Sequence, residues 1–144
     1  MNLFTRTPNI DHARIEAAIA AAERLTSGEI RVVLSHRAAP EPIAAAQHEF
    51  TRLGMDRTAA RNGVLIFLAP RSRTFAIIGD TGIHTHCGAE FWREVAAAME
   101  AAFRRDDFTS GLILGIERAG ALLATHFPRS PDDRNELPNR VEVV

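Results

Sequence analysis

At 144 residues, 46% hydrophobic and 24% charged, the chain has the length and balance of one globular domain and not those of a disordered segment. Seventeen basic residues against eighteen acidic ones leave a net charge of -1, without the basic stripe that nucleic-acid binding needs. The seventeen are all arginine, which excludes a Schiff-base or P-loop lysine, and the single cysteine, Cys87, excludes an internal disulfide.

Residues 10–25 read as a helix, with Asp11 as N-cap and Ile15, Ile19, Ala22 and Leu25 recurring at helical spacing. Thr26-Ser27-Gly28 ends it, Gly28 being suited to a left-handed cap. Residues 29–35 alternate, with Ile30, Val32 and Leu34 on one side and Arg31, Val33 and Ser35 on the other. This predicts a strand with one face more buried than the other. Residues 37–42 form a loop, and Ile43, Ala46, Phe50 and Leu53 mark a second helix stopped at Gly54. Residues 64–69 and 74–78 are nearly continuous apolar runs, as expected of strands covered on both faces by helices. Only Pro70-Arg71-Ser72-Arg73 joins them, which requires a hairpin.

Gly79-Asp80-Thr81-Gly82 reads as a turn. Phe91, Val95, Met99 and Phe103 give a third helix, and Leu112, Ile116, Ala119 and Leu123 a fourth. Gly111, Gly115 and Gly120 on the fourth let it lie close to the sheet. One domain therefore spans residues 1–144, with a core over 10–127 and an irregular tail over 128–144. No window approaches the roughly 18 continuous apolar residues of a membrane span. Residues 1–6 lack the apolar core of a signal peptide, so a cytoplasmic location is expected.

The order α-β-α-β-β-α-α places the polar motifs together. A helical crossover makes the first two strands parallel, and the hairpin makes the third antiparallel to the second. The starts of the first strand (Ser27-Gly28-Glu29) and the second (Arg61-Asn62-Gly63) then lie beside the finish of the third (Gly79-Asp80). His84, His86 and the tail segment Asn135-Glu136-Leu137-Pro138 approach the same rim, which makes it the candidate site.

At these residues the chain resembles the TPM domain family. The matching stretches are Thr26-Ser27-Gly28-Glu29-Ile30-Arg31-Val32, Arg61-Asn62-Gly63-Val64-Leu65-Ile66, Ile77-Ile78-Gly79-Asp80-Thr81-Gly82-Ile83-His84, Phe91-Trp92, Asp107-Phe108-Thr109-Ser110-Gly111-Leu112 and Asn135-Glu136-Leu137-Pro138. The resemblance implies a three-layer α/β/α sandwich with a small mixed sheet. It also implies links to phosphatase activity, calcium binding and partner binding, with a LemA-type membrane protein as one partner class. The chain is most similar to the short cytoplasmic bacterial branch. Arg61 stands where many relatives carry an acidic residue, which takes a carboxylate from an oxygen-ligand calcium site and adds a repelling charge.

Asp80 has three readings: a metal ligand, a catalytic nucleophile or base, or the ion-pair partner of Arg61. Arg61 offers a planar fork for an anion. Asn62 suits the turn before a strand, and Glu29 is a second-tier ligand. His84 and His86 would point the same way on an extended chain and so form half a metal site, zinc being the natural ion, although no second Cys or His pair follows at a recognised spacing. Cys87 needs a base to act as a nucleophile, and Phe91 and Trp92 read as core. No Gly-x-Ser-x-Gly elbow, Walker loop or His-Glu-x-x-His motif occurs. Two functions are thus expected in order: a ligand- or partner-binding module that uses the rim, or a phosphatase acting on phosphate monoesters. The second would be assisted by a divalent metal, with Asp80 at its centre and Arg61 gripping the phosphate.

Overall fold

The computed structural model describes residues 9–131 and 139–144. The chain runs α1 (His12–Glu23), β1 (Glu29–Leu34), α2 (Pro42–Arg52), a 3-10 turn (Met55–Arg57), β2 (Gly63–Ala69), β3 (Thr74–Gly79), α3 (Thr81–His84), α4 (Ala89–Arg104), α5 (Phe108–His126) and β4 (Glu142–Val143). The sheet order is β3-β2-β1-β4, with β1 parallel to β2 and to β4, and β3 antiparallel to β2.

Two apolar layers follow from the alternation of the strands. Ile30, Val32, Leu34, Val64, Ile66 and Leu68 pack against Ile15 and Ile19 of α1, Val95 and Met99 of α4, and Leu112, Ile116 and Leu123 of α5. Val33, Leu65, Phe67, Ala69 and Ala76 pack on the other side against Ala46 and Phe50 of α2 and Met55. This is the α/β/α sandwich. No helix among the described residues is long and apolar enough to cross a membrane.

Asp11 caps α1 by accepting the Arg14 N–H, and Asp107 caps α5 by accepting the Ser110 N–H. Both hydrogen bonds from Ser110 hold the Asp107 carboxyl below its ordinary range.

Four expectations change. Both faces of β1 are buried, Glu29 and Arg31 included: Ala46 and Phe50 of α2 pack on the Val33 side expected to be more open, and Glu142 of β4 pairs with Arg31. Leu25 does not close the apolar stripe of α1. The helix ends at Glu23, Leu25 is 66% exposed, and Glu23 takes the buried place one turn after Ile19. The glycines of α5 serve mainly helix contacts: a Cβ at Gly111 would strike the Phe103 ring, one at Gly115 the Met99 sulfur, and one at Gly120 the Ala22 side chain. Finally, the tail expected to be irregular supplies β4, in register Val33↔Glu142 and Leu34↔Val143. Val141 beside it is buried in the first apolar layer.

Candidate functional site

The three strand ends meet as topology requires, with Glu29 opposite Gly63 and Val64 opposite Gly79. Asn62 ties β1 to β2 by donating its Nδ2–H to Ser27 Oγ at 3.2 Å. α5 returns to this end, where the Phe127 carbonyl accepts from the Ser27 N–H at 2.9 Å and from the Thr26 hydroxyl. Segment 135–138, expected here as well, lies outside the described residues.

Across the rim, the Asp80 N–H donates to the Gly63 carbonyl and the Gly82 N–H to the Arg61 carbonyl, each at 2.9 Å. The turn expected at 79–82 is instead the cap and first residues of α3, with Asp80 as N-cap. A Cβ at Gly82 would land on the carbonyl oxygens of Ala60 and Arg61, so a glycine is needed for α3 to close on this loop. Gly82→Ala is therefore expected to destabilise the protein by about 2 kcal/mol or more, as overpacking against rigid backbone does. Gly88→Ala, whose Cβ meets nothing, should stay within about 0.5 kcal/mol. Urea midpoints compare the two directly, and equal midpoints would contradict the close approach.

Arg61, at φ 52°, turns its guanidinium back over Asp80. Nε donates to Oδ2 at 2.8 Å and Nη2 to Oδ1 at 3.0 Å, a bidentate pair. Asp80 Oδ1 also accepts the Thr81 N–H at 2.7 Å. The Asp80 side chain is 4% exposed and that of Arg61 47%, so the carboxylate is enclosed and the cation faces water. The Asp80 carboxylate raises the Arg61 pKa through the hydrogen bond first and its charge second.

These facts bear on the metal chemistry that the resemblance implies. Arg61 engages both Asp80 oxygens, so a cation would have to displace it, and calcium or a catalytic divalent ion does not fit at Asp80 in this arrangement. Among the described residues, no three His, Cys, Asp or Glu side chains come together as ligands. The geometry assumed for His84 and His86 is also different. The chain there is a helical turn and not extended, so alternation does not align the two rings. His84 faces a pocket beside Asp80, whereas His86 stacks on His126 at 4.5 Å and meets the Phe127 ring edge-on at 5.2 Å. Cys87 lies 3.8 Å from the Ile83 carbonyl, and burial pushes its thiol pKa up, away from a reactive thiolate.

The pocket has a volume of about 500 Å³. Its floor is the outer end of β3 (Ile77, Ile78, Gly79), one wall is α2 (Gln47, Phe50, Thr51), and the other is α3 and the start of α4 (Thr81, His84, Ala89, Trp92). Sequence reasoning found Asp80 and His84 but missed the α2 wall; Trp92, read as core, packs partly buried against the first apolar layer and also lines the pocket. Gln47 and Thr51 are one turn apart on α2, a spacing visible in the sequence, but only the sheet order shows that they face β3.

Glu29 reveals a second missed residue. It is buried beside Glu23, whose Oε2 accepts the Ile30 N–H at 2.8 Å. Glu23 Oε1 is buried with no N–H or O–H donor among the described residues, and the facing Glu29 carboxylate adds its charge. Desolvation above all, then Glu29, pushes the Glu23 carboxyl up to about 8. A proton on Glu23 satisfies the contact between the two acids at neutral pH. The signal was legible: Ile15, Ile19 and Glu23 follow at intervals of four along one helix face.

The family model for the TPM domain matches residues 2–122. Among solved structures, the BA42 protein of the psychrophilic bacterium Bizionia argentinensis is 41% identical, with 92% of each chain covered and a TM-score of 0.84. The N-terminal domain of the cg2496 protein from Corynebacterium glutamicum is 22% identical, with 77% of this chain and 70% of that chain covered and a TM-score of 0.57. An N-terminal domain from P. gingivalis is 17% identical, covering 82% and 78%, with a TM-score of 0.62, and these last two support the fold alone. No curated protein matches the chain. With the family model spanning most of its length and a 41% identical structure aligned almost end to end, the chain belongs to the TPM domain family.

Proposed function

We propose that this chain is a non-catalytic binding module that recognises a protein partner or ligand through the pocket between α2, β3 and α3. The observation that carries this reading is the state of Asp80. Its carboxylate is enclosed, held at both oxygens by Arg61 and at one by the Thr81 N–H, which suits a structural brace better than a nucleophile or base. Beside this brace lies a concave, mixed polar and apolar wall, the usual character of a recognition surface. The proposal places the module in the cytoplasm, and a LemA-type membrane protein is the first named partner to try.

Thr51 is exposed on α2, and Thr51→Trp fills the pocket without touching the core. In a pull-down from native lysate, the wild type is expected to retain a partner that Thr51→Trp loses by about tenfold, while Arg104→Ala, on the far face of α4, keeps it. Retention by all three proteins would sink the pocket as the binding site. The competing hydrolase reading is tested on a generic phosphomonoester with Mg²⁺, Mn²⁺, Ca²⁺ or Zn²⁺. Turnover that disappears in Asp80→Asn would replace the binding module with a phosphatase.

A further inference from the structure

The partner site can be specified further at the edge of the sheet, an inference that rests on the pocket reading above. Among the described residues β3 is an outer strand, so half of its backbone groups have no strand to meet. The Asp80 N–H donates to the Gly63 carbonyl, which makes that opposed pair a hydrogen-bonded one, and the alternation of an antiparallel ladder does the rest. Ala76 and Ile78 turn their N–H and C=O groups toward β2. Phe75, Ile77 and Gly79 turn theirs outward, and these donors find no partner among the described residues.

Edge strands are normally defended by charge, proline, a bulge or shortness. The opposite edge is: β4 has two residues, one of them Glu142. β3 has six, Thr-Phe-Ala-Ile-Ile-Gly, with no charge, proline or bulge in the run, and Phe75, Ile77 and Ile78 only half-buried. Its two flanks are grooved by Phe50 on one side and Trp92 on the other. Cations stand at both ends and none between. Arg71 and Arg73 precede the strand, and the ion pair of Arg73 with Asp106 is exposed on both partners and so weak. Arg61 stands at its other end, paired with Asp80, and its Nη1 makes no hydrogen bond among the described residues.

We propose that β3 is a docking edge for an extended peptide segment of a partner protein, apolar at alternate positions and acidic at its flanks, which adds to the sheet as a fifth strand. The outward amides and carbonyls ask for a backbone in the same extended form, which a small ligand or a helix does not supply. Alternate side chains of the added strand fall toward Ile78 and Phe50 on the α2 side and toward Ile77 and Trp92 on the α4 side, following the period of two. Its acidic ends meet the arginines.

The probe is a random-peptide library displayed on phage and selected on the full chain. Selected peptides are expected to show the alternating apolar pattern with acidic flanks and to slow amide hydrogen exchange at Ile77 and Gly79. N-methylation of alternate peptide nitrogens should weaken binding by about tenfold, and methylation of the intervening ones by much less, since only every second amide reaches β3. Peptides that bind with Ile77 and Gly79 exchange unchanged, or with no dependence on which nitrogen is methylated, overturn the docking edge. If Thr51→Trp still blocks their binding, the pocket reading survives alone. Failure to enrich any peptide overturns the inference, and so does a concentration-dependent dimer that Ile77→Lys dissolves, which would assign the edge to a second copy of the chain.

Discussion

Glu23→Gln is expected to stabilise the protein at pH 9 by about 2–3 kcal/mol relative to wild type, and to flatten its stability between pH 5 and 9. The Glu23 carboxyl ordinarily titrates at 4.5 and is pushed up to about 8 in the fold, so the native state holds a proton that the unfolded chain releases in between. The stabilising contribution is complete below about pH 4.5 and is lost as pH rises through about 8. The span between these values sets a ceiling near 5 kcal/mol, and water reaching the ionised pair lowers the realised amount. Glutamine copies the protonated acid, its carbonyl accepting the Ile30 N–H and its amide facing Glu29. Glu29 on β1, Arg129 after α5 and Arg31 on β1 are the charged groups that act on this site, and both arginines remain in the variant. Urea unfolding at pH 5, 7 and 9 measures the effect, and parallel pH profiles for the two proteins would refute the shared proton.

An effect of similar size and opposite sign is expected where β4 joins β1. Glu142→Gln should destabilise the protein by about 3 kcal/mol at neutral pH, because it leaves the Arg31 guanidinium buried without its counter-charge. Arg31 Nη2 donates to Glu142 Oε2 at 3.1 Å, and the two side chains are 3% and 21% exposed. Burial pulls the Arg31 pKa down while Glu142 pulls it back up, and Arg31 Nε has no hydrogen-bond partner among the described residues. Arg140 lies 3.6 Å from the same Glu142 oxygen, on the exposed side. Adding Arg31→Met to the Glu142→Gln protein removes the stranded charge and should recover most of the loss. If the double variant is no more stable than Glu142→Gln alone, the cost lies in the β4 backbone and not in the ion pair.

Local pattern determined much of this molecule. The spacing of Ile15 and Ile19, of Val95, Met99 and Phe103, and of Leu112, Ile116 and Leu123 marked three helices, because a helix must repeat its apolar face every three or four residues. The four-residue link between two apolar runs dictated the β2–β3 hairpin, and from that followed the meeting of Arg61, Asn62, Glu29 and Asp80 at one rim. Such features were legible because each is settled by neighbours in the chain or by the short reach of a connection.

What the sequence hid depends on distant neighbours. Glu23 and Glu29 look like ordinary surface acids until burial gives one of them a proton, and Arg31 looks like the solvent side of a strand until Glu142, 111 residues later, covers it. Whether Asp80 is a reagent or a brace turns on the direction of the Arg61 side chain, which a left-handed φ of 52° sets and no periodicity announces. Which edge of the sheet stays open among the described residues depended on β4 adding beside β1 and leaving β3 outermost. The chain alone determined the elements, their order and the rim where they end. Tertiary packing decided ionisation, pairing and exposure, because those depend on how much water each group loses and which charge replaces it.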